Sequence, residues 1–249
     1  DYYASRGLGD VYKRQVINFT IQPEFSCKTL SQDELLDVKL ARMIKGSETK
    51  LVMISSRKVY GSRNLADEIA ETAPLQPLDA YAKNKAAAEK AIQGIIPGQS
   101  LIVRVANVLG EPVNRTGYKT FMGWISESIL TRGKLIVTEN PETRKDFITR
   151  DYLQKALSVL IHKKVSGIIN VGAGFALSLE RLLTDIVGEE HIFFEGNVPP
   201  RDQFVLNVDR LHRFVSPFTP QELSDSCRRN RSVLMNYLKL HKEKAYAQD

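Results

Sequence analysis

The sequence is poor in the residues that build disulfide frameworks and metal centres. Its 249 residues include only 2 cysteines and 4 histidines. Cys27 and Cys227 are too few and too far apart for a disulfide scaffold, so reduced thiols and a cytoplasmic location are expected. The 4 histidines show no ligand spacing, so no metal site is predicted.

Long hydrophobic runs are also missing. No apolar stretch approaches the roughly 20 residues that a membrane-spanning helix needs, and no stretch resembles a signal peptide. The net charge of +6 is mild and suits an anionic substrate, but it equally suits a basic surface with no partner. The densest basic patch is expected to be a solvated helix face, which makes nucleic acid an unlikely partner. It comprises Arg228, Arg229, Arg231, Lys239, Lys242 and Lys244.

Short apolar runs alternate with amphipathic stretches, the pattern of a parallel sheet flanked by helices. Strands are predicted at residues 16–21, 50–56, 100–106 and 167–171. Helices are predicted at residues 33–45, 79–94, 120–131, 150–163 and 178–187. Pro220 marks the start of a last helix, because proline is favoured in a first helical turn. The predicted fold class is therefore α/β, with a doubly wound, Rossmann-like parallel sheet.

Three residues form the pattern with the clearest chemical meaning. Ser56 ends the apolar run at residues 51–56 (LVMISS), and Tyr81 and Lys85 follow in an Ala-rich stretch. Residues four apart share a helix face, so the Lys85 ammonium is expected to lie beside the Tyr81 phenol and lower its pKa from about 10. Ser56 would hold the same substrate oxygen by a hydrogen bond. The pattern predicts proton exchange with a carbinol or ketone, which is half of a hydride-transfer reaction.

These residues stand in a longer set of motifs with regular spacing, and Tyr81 lies 25 positions after Ser56. The motifs are residues 55–61 (SSRKVYG), 81–85 (YAKNK), 101–110 (LIVRVANVLG), 145–148 (KDFI, with Lys where Arg is usual) and 167–172 (GIINVG). In this order they resemble the extended short-chain dehydrogenase/reductase family of nucleotide-sugar epimerases, dehydratases and reductases. The resemblance covers about residues 16–218.

The resemblance implies roles for individual residues and a cofactor, NAD or NADP. Tyr81 would be the general acid/base, Lys85 its electrostatic partner and the anchor of the nicotinamide ribose, and Ser56 the donor to the substrate oxygen. Further cofactor contacts are implied for Phe19, Thr20, Ser55, Ala106 and Val108. Substrate contacts are implied for Asn107, Arg144 and Lys145. Asp37 departs from the family, since many relatives carry Asn there.

The chain is expected to consist of a non-native beginning and two further parts. Residues 5–15 resemble an in-frame translation of a sequencing adapter, so residues 1–15 are excluded from fold prediction. Residues 16–110 would be the remainder of a dinucleotide-binding domain. Residues 111–249 would form a small C-terminal substrate lobe, interleaved with the last sheet strand (167–171) and the C-terminal helix.

The Gly-rich dinucleotide turn is not found in the sequence. The chain is therefore expected to be a fragment whose fold lacks its first strands. The strand at residues 16–21 would then be a sheet edge. Because the pyrophosphate loses its helix N-terminus, neither tight cofactor binding nor activity is expected of the chain alone.

Two positions narrow the reaction. The 4,6-dehydratases and decarboxylases of the family carry an acidic residue two positions after the catalytic Ser or Thr, and the dehydratases use an Asp-Glu pair. This chain has Arg57 and Lys58 at those positions. Cations cannot abstract the sugar C5 proton, so a nucleotide-sugar 4-epimerase or a 4-keto reductase is predicted. The sequence does not distinguish between these two activities. The resemblance also suggests a homodimer. The alternative is a non-catalytic protein on the same fold that binds NAD(P) or nucleic acid.

Overall fold

The computed structural model describes residues 15–62, 68–112, 120–196 and 198–246. In these ranges the strands are β1 (Gln15–Asn18), β2 (Lys50–Ser56), β3 (Ser100–Val105), β4 (Asn107–Leu109), β5 (Leu135–Val137), β6 (Arg144–Lys145), β7 (Phe147–Thr149), β8 (Gly167–Val171), β9 (Leu177–Ser178) and β10 (Ile192–Phe194). The helices are α1 (Leu36–Ile44), α2 (Ala80–Ile95), α3 (Phe121–Arg132), α4 (Arg150–His162), α5 (Leu179–Val187), α6 (Asp209–His212) and α7 (Pro220–Tyr246).

The main sheet has four parallel strands in the order β1-β2-β3-β8. Side chains alternate across it, so Leu51 and Met53 pack into one buried cluster with α1 and α2, while Val52 packs into the other. The second cluster includes Ala156 and Leu160 of α4. Helices thus cover both faces of a parallel sheet, which confirms the predicted doubly wound α/β class.

Short strands build the region beyond the sheet. β4 pairs with β7 and β5 with β10, both parallel, and β6 pairs with β9 in antiparallel orientation. Segments of two or three residues are too short to show a period, which is why the sequence pattern did not predict them. They hold Asn107 and Lys145 beyond the carboxyl ends of the main strands. The predicted division into two domains stays a prediction.

The first strand is shorter than predicted and lies at the edge of the described sheet. It begins at Gln15 and ends at Asn18, and its described pairing is with β2. Phe19 and Ile21 are 66% and 54% exposed, so their apolar character does not reflect burial in a strand. Residues 1–14, which include most of the predicted adapter segment, lie outside the described residues.

The last helix packs through one apolar face. Leu223, Cys227 and Leu234 are buried against the larger core cluster. Two of its arginines have acidic neighbours, since Arg228 pairs with Asp225 and Arg231 with Glu190. Within the described ranges, no helix is both long and apolar enough to cross a bilayer.

Gly61 is required by the turn that follows β2. Its backbone has φ +77° and ψ −159°, a region that only glycine adopts readily, and an added Cβ would overlap the Gln76 carbonyl oxygen. The Gln76 amide donates to the Val59 carbonyl at 3.0 Å, which fixes that oxygen in place. Gly61→Ala is therefore expected to lower the free energy of unfolding by at least about 2 kcal/mol, measured by urea denaturation.

Gly133→Ala is the matched control for this substitution. Gly133 also has positive φ, at +65°, but a Cβ there would meet no atom within 4 Å. Only the backbone penalty applies, and the expected loss is about 1 kcal/mol. Equal losses in the two variants would contradict the assigned overlap with Gln76.

Candidate active site

Ser56 and Tyr81 are brought together by a strand end and a helix start. β2 ends at Ser56, which caps the 3-10 turn Arg57–Tyr60 by accepting from the Lys58 amide at 3.3 Å. α2 begins after Asp79, whose carboxylate accepts from the Ala82 amide at 2.7 Å. Tyr81 therefore lies in the first turn of α2, at the carboxyl end of β2.

The Tyr81 hydroxyl is hydrogen-bonded to Ser56, and Tyr81 as a whole residue is half-buried. Its ring meets Phe25 edge-on, with centroids 5.6 Å apart. Burial raises the pKa of Tyr81, and the negative charges of Asp79 and Asp37 raise it further, while the Ser56 hydrogen bond opposes them. The phenol thus favours its protonated form, which differs from the sequence expectation of a lowered pKa.

Besides this burial, Lys85 is not the unpaired positive charge that the sequence expectation assumed. Its ammonium lies 3.7 Å from the Asp37 carboxylate, and the two side chains are only 5% and 4% exposed. It also lies 5.1 Å from the centroid of the Phe25 ring. Burial lowers the pKa of Lys85, and Asp37 partly offsets this. The cation next to Tyr81 is therefore paired with a carboxylate that the sequence pattern did not connect to it.

The residues expected at the cofactor are placed in different environments. Phe19 and Thr20 follow β1 and are exposed, and the Thr20 amide donates to the Asn18 side chain at 2.9 Å. Ser55 is buried and donates its hydroxyl to Glu89. Ala106 is also buried, whereas Val108 lines a cavity.

That cavity has a volume of 590 Å³ and contains two of the three residues expected at the substrate. Its lining comprises Asn107, Val108, Phe121, Trp124, Arg132, Ile136, Val137, Thr138, Glu139, Lys145, Phe147 and Leu179. The Lys145 ammonium pairs with Glu139 at 2.6 Å. Arg144 is outside this lining, and its guanidinium donates to the Ala176 carbonyl at 3.1 Å. The structure thus brings Asn107 and Lys145 together and separates Arg144 from them.

The two cations that follow Ser56 are both paired. Arg57 is buried, donates to the Asp202 carboxylate and lies 4.2 Å over the Phe204 ring. Lys58 pairs with Asp79 at 2.9 Å. The two positions at which the resemblance implies an acidic residue in dehydratases therefore carry positive groups paired with carboxylates.

A buried polar network behind the site escaped sequence analysis. Arg104 of β3 donates to the Glu89 carboxylate at 2.6 Å, and both side chains are at most 3% exposed. Arg104 also donates to the Tyr60 hydroxyl at 2.9 Å, which in turn donates to Asn170 at 2.7 Å. A charged residue inside a strand predicted as apolar was the one available signal, because buried charges need partners.

Asp146 belongs to the motif at residues 145–148, but the sequence pattern did not predict its burial. Its carboxylate is buried and accepts from the backbone amides of Ala173 and Leu206 at 2.8 and 3.2 Å. Burial raises the pKa of this carboxyl to about 7, although the amide hydrogen bonds oppose the shift. The side chain ties β7 to the segments after β8 and before α6. Its hydrogen bonds to backbone amides hold these segments together. Among the described residues no group of His, Cys, Asp or Glu could hold a metal ion.

Comparisons with known proteins show the family and the fold of this chain. The family model described as "NAD dependent epimerase/dehydratase family" matches residues 25–172. Human dTDP-D-glucose 4,6-dehydratase is 30% identical over 141 residues, which are 55% of this chain and 39% of the relative. The chain belongs to the NAD dependent epimerase/dehydratase family. It spans about two fifths of the length of the curated relatives that it matches.

Two solved structures confirm the fold. UDP-N-acetylglucosamine 4-epimerase from Methanobrevibacter ruminantium M1, in complex with UDP-N-acetylmuramic acid, superimposes with a TM-score of 0.73 at 19% identity, over 92% of this chain and 80% of that one. dTDP-glucose 4,6-dehydratase from Bacillus anthracis, in complex with NAD, gives a TM-score of 0.72 at 17% identity, over 97% and 78%.

Proposed function

We propose that the complete protein is an NAD(P)-dependent nucleotide-sugar epimerase or 4-keto reductase. One observation supports this most strongly. The Tyr81 hydroxyl is hydrogen-bonded to Ser56 at the carboxyl ends of parallel strands, where open α/β sheets bind their ligands. Tyr81 would hand its proton to, or take one from, a substrate oxygen that Ser56 holds.

The residues around Tyr81 fit the nicotinamide and ribose end of a dinucleotide. Asn18 donates to Asp37 at 2.7 Å, and Asp37 pairs with Lys85. The end of β1, α1 and α2 are therefore joined by one polar cluster. The Lys85 ammonium would donate to ribose hydroxyls, and the exposed Phe19 and Thr20 would border the nicotinamide. A bound dinucleotide would supply or accept the hydride.

The 590 Å³ cavity fits the nucleotide-diphosphate part of the substrate. It combines the Phe121 and Trp124 rings, 6.0 Å apart, with the side chains of Asn107, Arg132 and Lys145. Aromatic rings can pack against the nucleobase of a nucleotide, and cationic side chains can bind its phosphates. The relatives named above act on or bind UDP- and dTDP-sugars, which is consistent with this assignment.

Arg57 and Lys58 argue against dehydration, although curated relatives of the chain are dehydratases. Both cations are held by carboxylates, and neither can act as the base that removes a C5 proton. Oxidation and reduction at a sugar carbon remain. We therefore propose epimerisation or ketone reduction as the overall reaction.

The test is turnover of UDP-, GDP- and dTDP-sugars by the complete gene product with NAD(H) or NADP(H), with products identified by NMR. A C4 epimer or a reduced keto sugar would support the proposal and decide between its two forms. Release of a 4-keto-6-deoxy sugar would contradict the argument from Arg57 and Lys58. No turnover of any sugar nucleotide would contradict the proposal itself.

Lys145→Ala is expected to raise the KM for the sugar nucleotide about tenfold, with a smaller change in kcat. The ammonium lies in the cavity wall, and a charge-assisted hydrogen bond to a phosphate contributes about 1.5–3 kcal/mol. Steady-state kinetics measure the effect, with Lys155→Ala on the exposed side of α4 as control. If Arg144→Ala raised KM and Lys145→Ala did not, the phosphates would be bound by Arg144.

A further inference from the structure

Lys85 is paired with a carboxylate, which opposes the effect that its ammonium would have on the ionisation of Tyr81. Asp37 of α1 is 3% exposed and faces Lys85 at 3.7 Å. Asn18 donates to its other oxygen at 2.7 Å, which fixes the carboxylate. This arrangement supplies a negative charge where an asparagine would supply none. It can therefore change how strongly the ammonium acts on the phenol one turn away.

We propose that Asp37 is a positioning residue that cancels the charge of Lys85 and so keeps Tyr81 protonated, as a proton donor, at neutral pH. The role of Tyr81 in this proposal rests on the proposed function. The cancellation of the Lys85 charge rests on the short distance between the Asp37 carboxylate and the Lys85 ammonium. Coulomb attraction between a buried ammonium and a buried carboxylate is strong at this distance, so the pair acts on its surroundings nearly as a neutral dipole.

The other charged groups near Tyr81 and Lys85 do not supply an unpaired positive charge in place of Lys85. Tyr81 faces Asp79 at the start of α2 and, across its ring, Lys58, and these two residues pair with each other. Lys85 faces Glu89 on its own helix, and Glu89 is held by Arg104 of β3. From the 3-10 turn Pro23–Ser26, Lys85 also faces the uncharged ring of Phe25.

A protonated Tyr81 suits one direction of the reaction. The substrate carbonyl oxygen would gain the proton of the Tyr81 hydroxyl while the carbonyl carbon gains a hydride from a reduced nicotinamide dinucleotide. Water then returns a proton to the tyrosinate. Oxidation of an alcohol would instead require the phenolate first. Asp37 thus biases the site towards ketone reduction.

The test is an ultraviolet titration of tyrosinate in this chain without substrate or cofactor. Because the sequence has 9 tyrosines, the Tyr81 signal is the difference between each protein and the same protein carrying Tyr81→Phe. Asp37→Asn keeps the shape and the hydrogen bond from Asn18. It is expected to lower the pKa of Tyr81 by at least about one unit, a tenfold change in acid dissociation. An unchanged pKa would overturn the proposal.

A double variant protects the test against misfolding of Asp37→Asn, which circular dichroism would reveal. Asp37→Asn with Lys85→Met removes both charges together, so the pKa of Tyr81 should stay within about half a unit of its original value. A rise of a unit or more would show that Lys85 acts unopposed and would overturn the proposal. Asp33→Asn, at an exposed carboxylate paired with Arg42, is the control and should leave the titration unchanged. A confirmed titration without turnover would refute the proposed function only.

Discussion

Tyr81→Phe is expected to lower turnover of the sugar nucleotide by the complete protein at least about 100-fold, the lower range for loss of a general acid or base. The substitution removes one oxygen from a ring that packs against Phe25 and leaves the fold and the 590 Å³ cavity intact. Proton exchange with the substrate oxygen then lacks its donor, while Ser56 still holds that oxygen. The loss should therefore fall mainly on kcat, with little change in KM.

Tyr237→Phe is the matched control, because it removes the same oxygen from a side chain on α7, outside the site around Ser56. Its turnover should equal that of the unmodified protein. Unchanged turnover in Tyr81→Phe would remove the basis for assigning acid/base chemistry to this site. A comparable loss in both variants would point to a general effect on folding.

Ser56 and Tyr81 could be predicted to meet because their placement depends on local rules. An apolar strand ends at Ser56, and the Asp79 cap starts a helix just before Tyr81. The parallel sheet then aligns both at one edge. The placement of these two residues therefore depends mainly on their spacing in the sequence and little on long-range contacts.

The partner of Lys85 could not be predicted in the same way. Asp37 stands far away in the sequence, and its contact with Lys85 depends on how α1 packs against α2. The helical spacing of Tyr81 and Lys85 was read correctly, but spacing says nothing of a third charge from another element. The expected lowering of the pKa of Tyr81 was wrong chiefly because the phenol is buried, and the negative charges of Asp79 and Asp37 add to that effect.

The length of β1 was overestimated for a related reason. Phe19 and Ile21 are apolar, and alternation of apolar residues typically indicates a strand. Their exposure shows that an apolar side chain can serve at a surface, here next to the proposed cofactor site. Sequence pattern does not distinguish a residue that is apolar for packing from one that is apolar for contact with a ligand.

The ion pair behind the site is expected to matter most for stability. Arg104 and Glu89 are joined at 2.6 Å with side-chain exposures of 3% and 2%, and Ser55 also donates to Glu89. Glu89→Gln keeps the shape but leaves the Arg104 cation buried without its counter-charge. Removal of one partner of such a pair costs about 3–5 kcal/mol. This is a large share of the 5–15 kcal/mol that stabilises a typical domain, since native states are marginally stable.

Urea denaturation followed by circular dichroism measures this loss, with Asp225→Asn as the matched control. Asp225 pairs with Arg228 on α7, but those side chains are 43% and 62% exposed, so the loss there should stay below about 1 kcal/mol. The contrast follows from solvation, because water replaces the lost partner at the surface and cannot reach Arg104 in the core. If the two variants lost the same free energy, the Arg104 charge would have to be solvated, and the strand end that carries Ser55 and Ser56 would not depend on the pair.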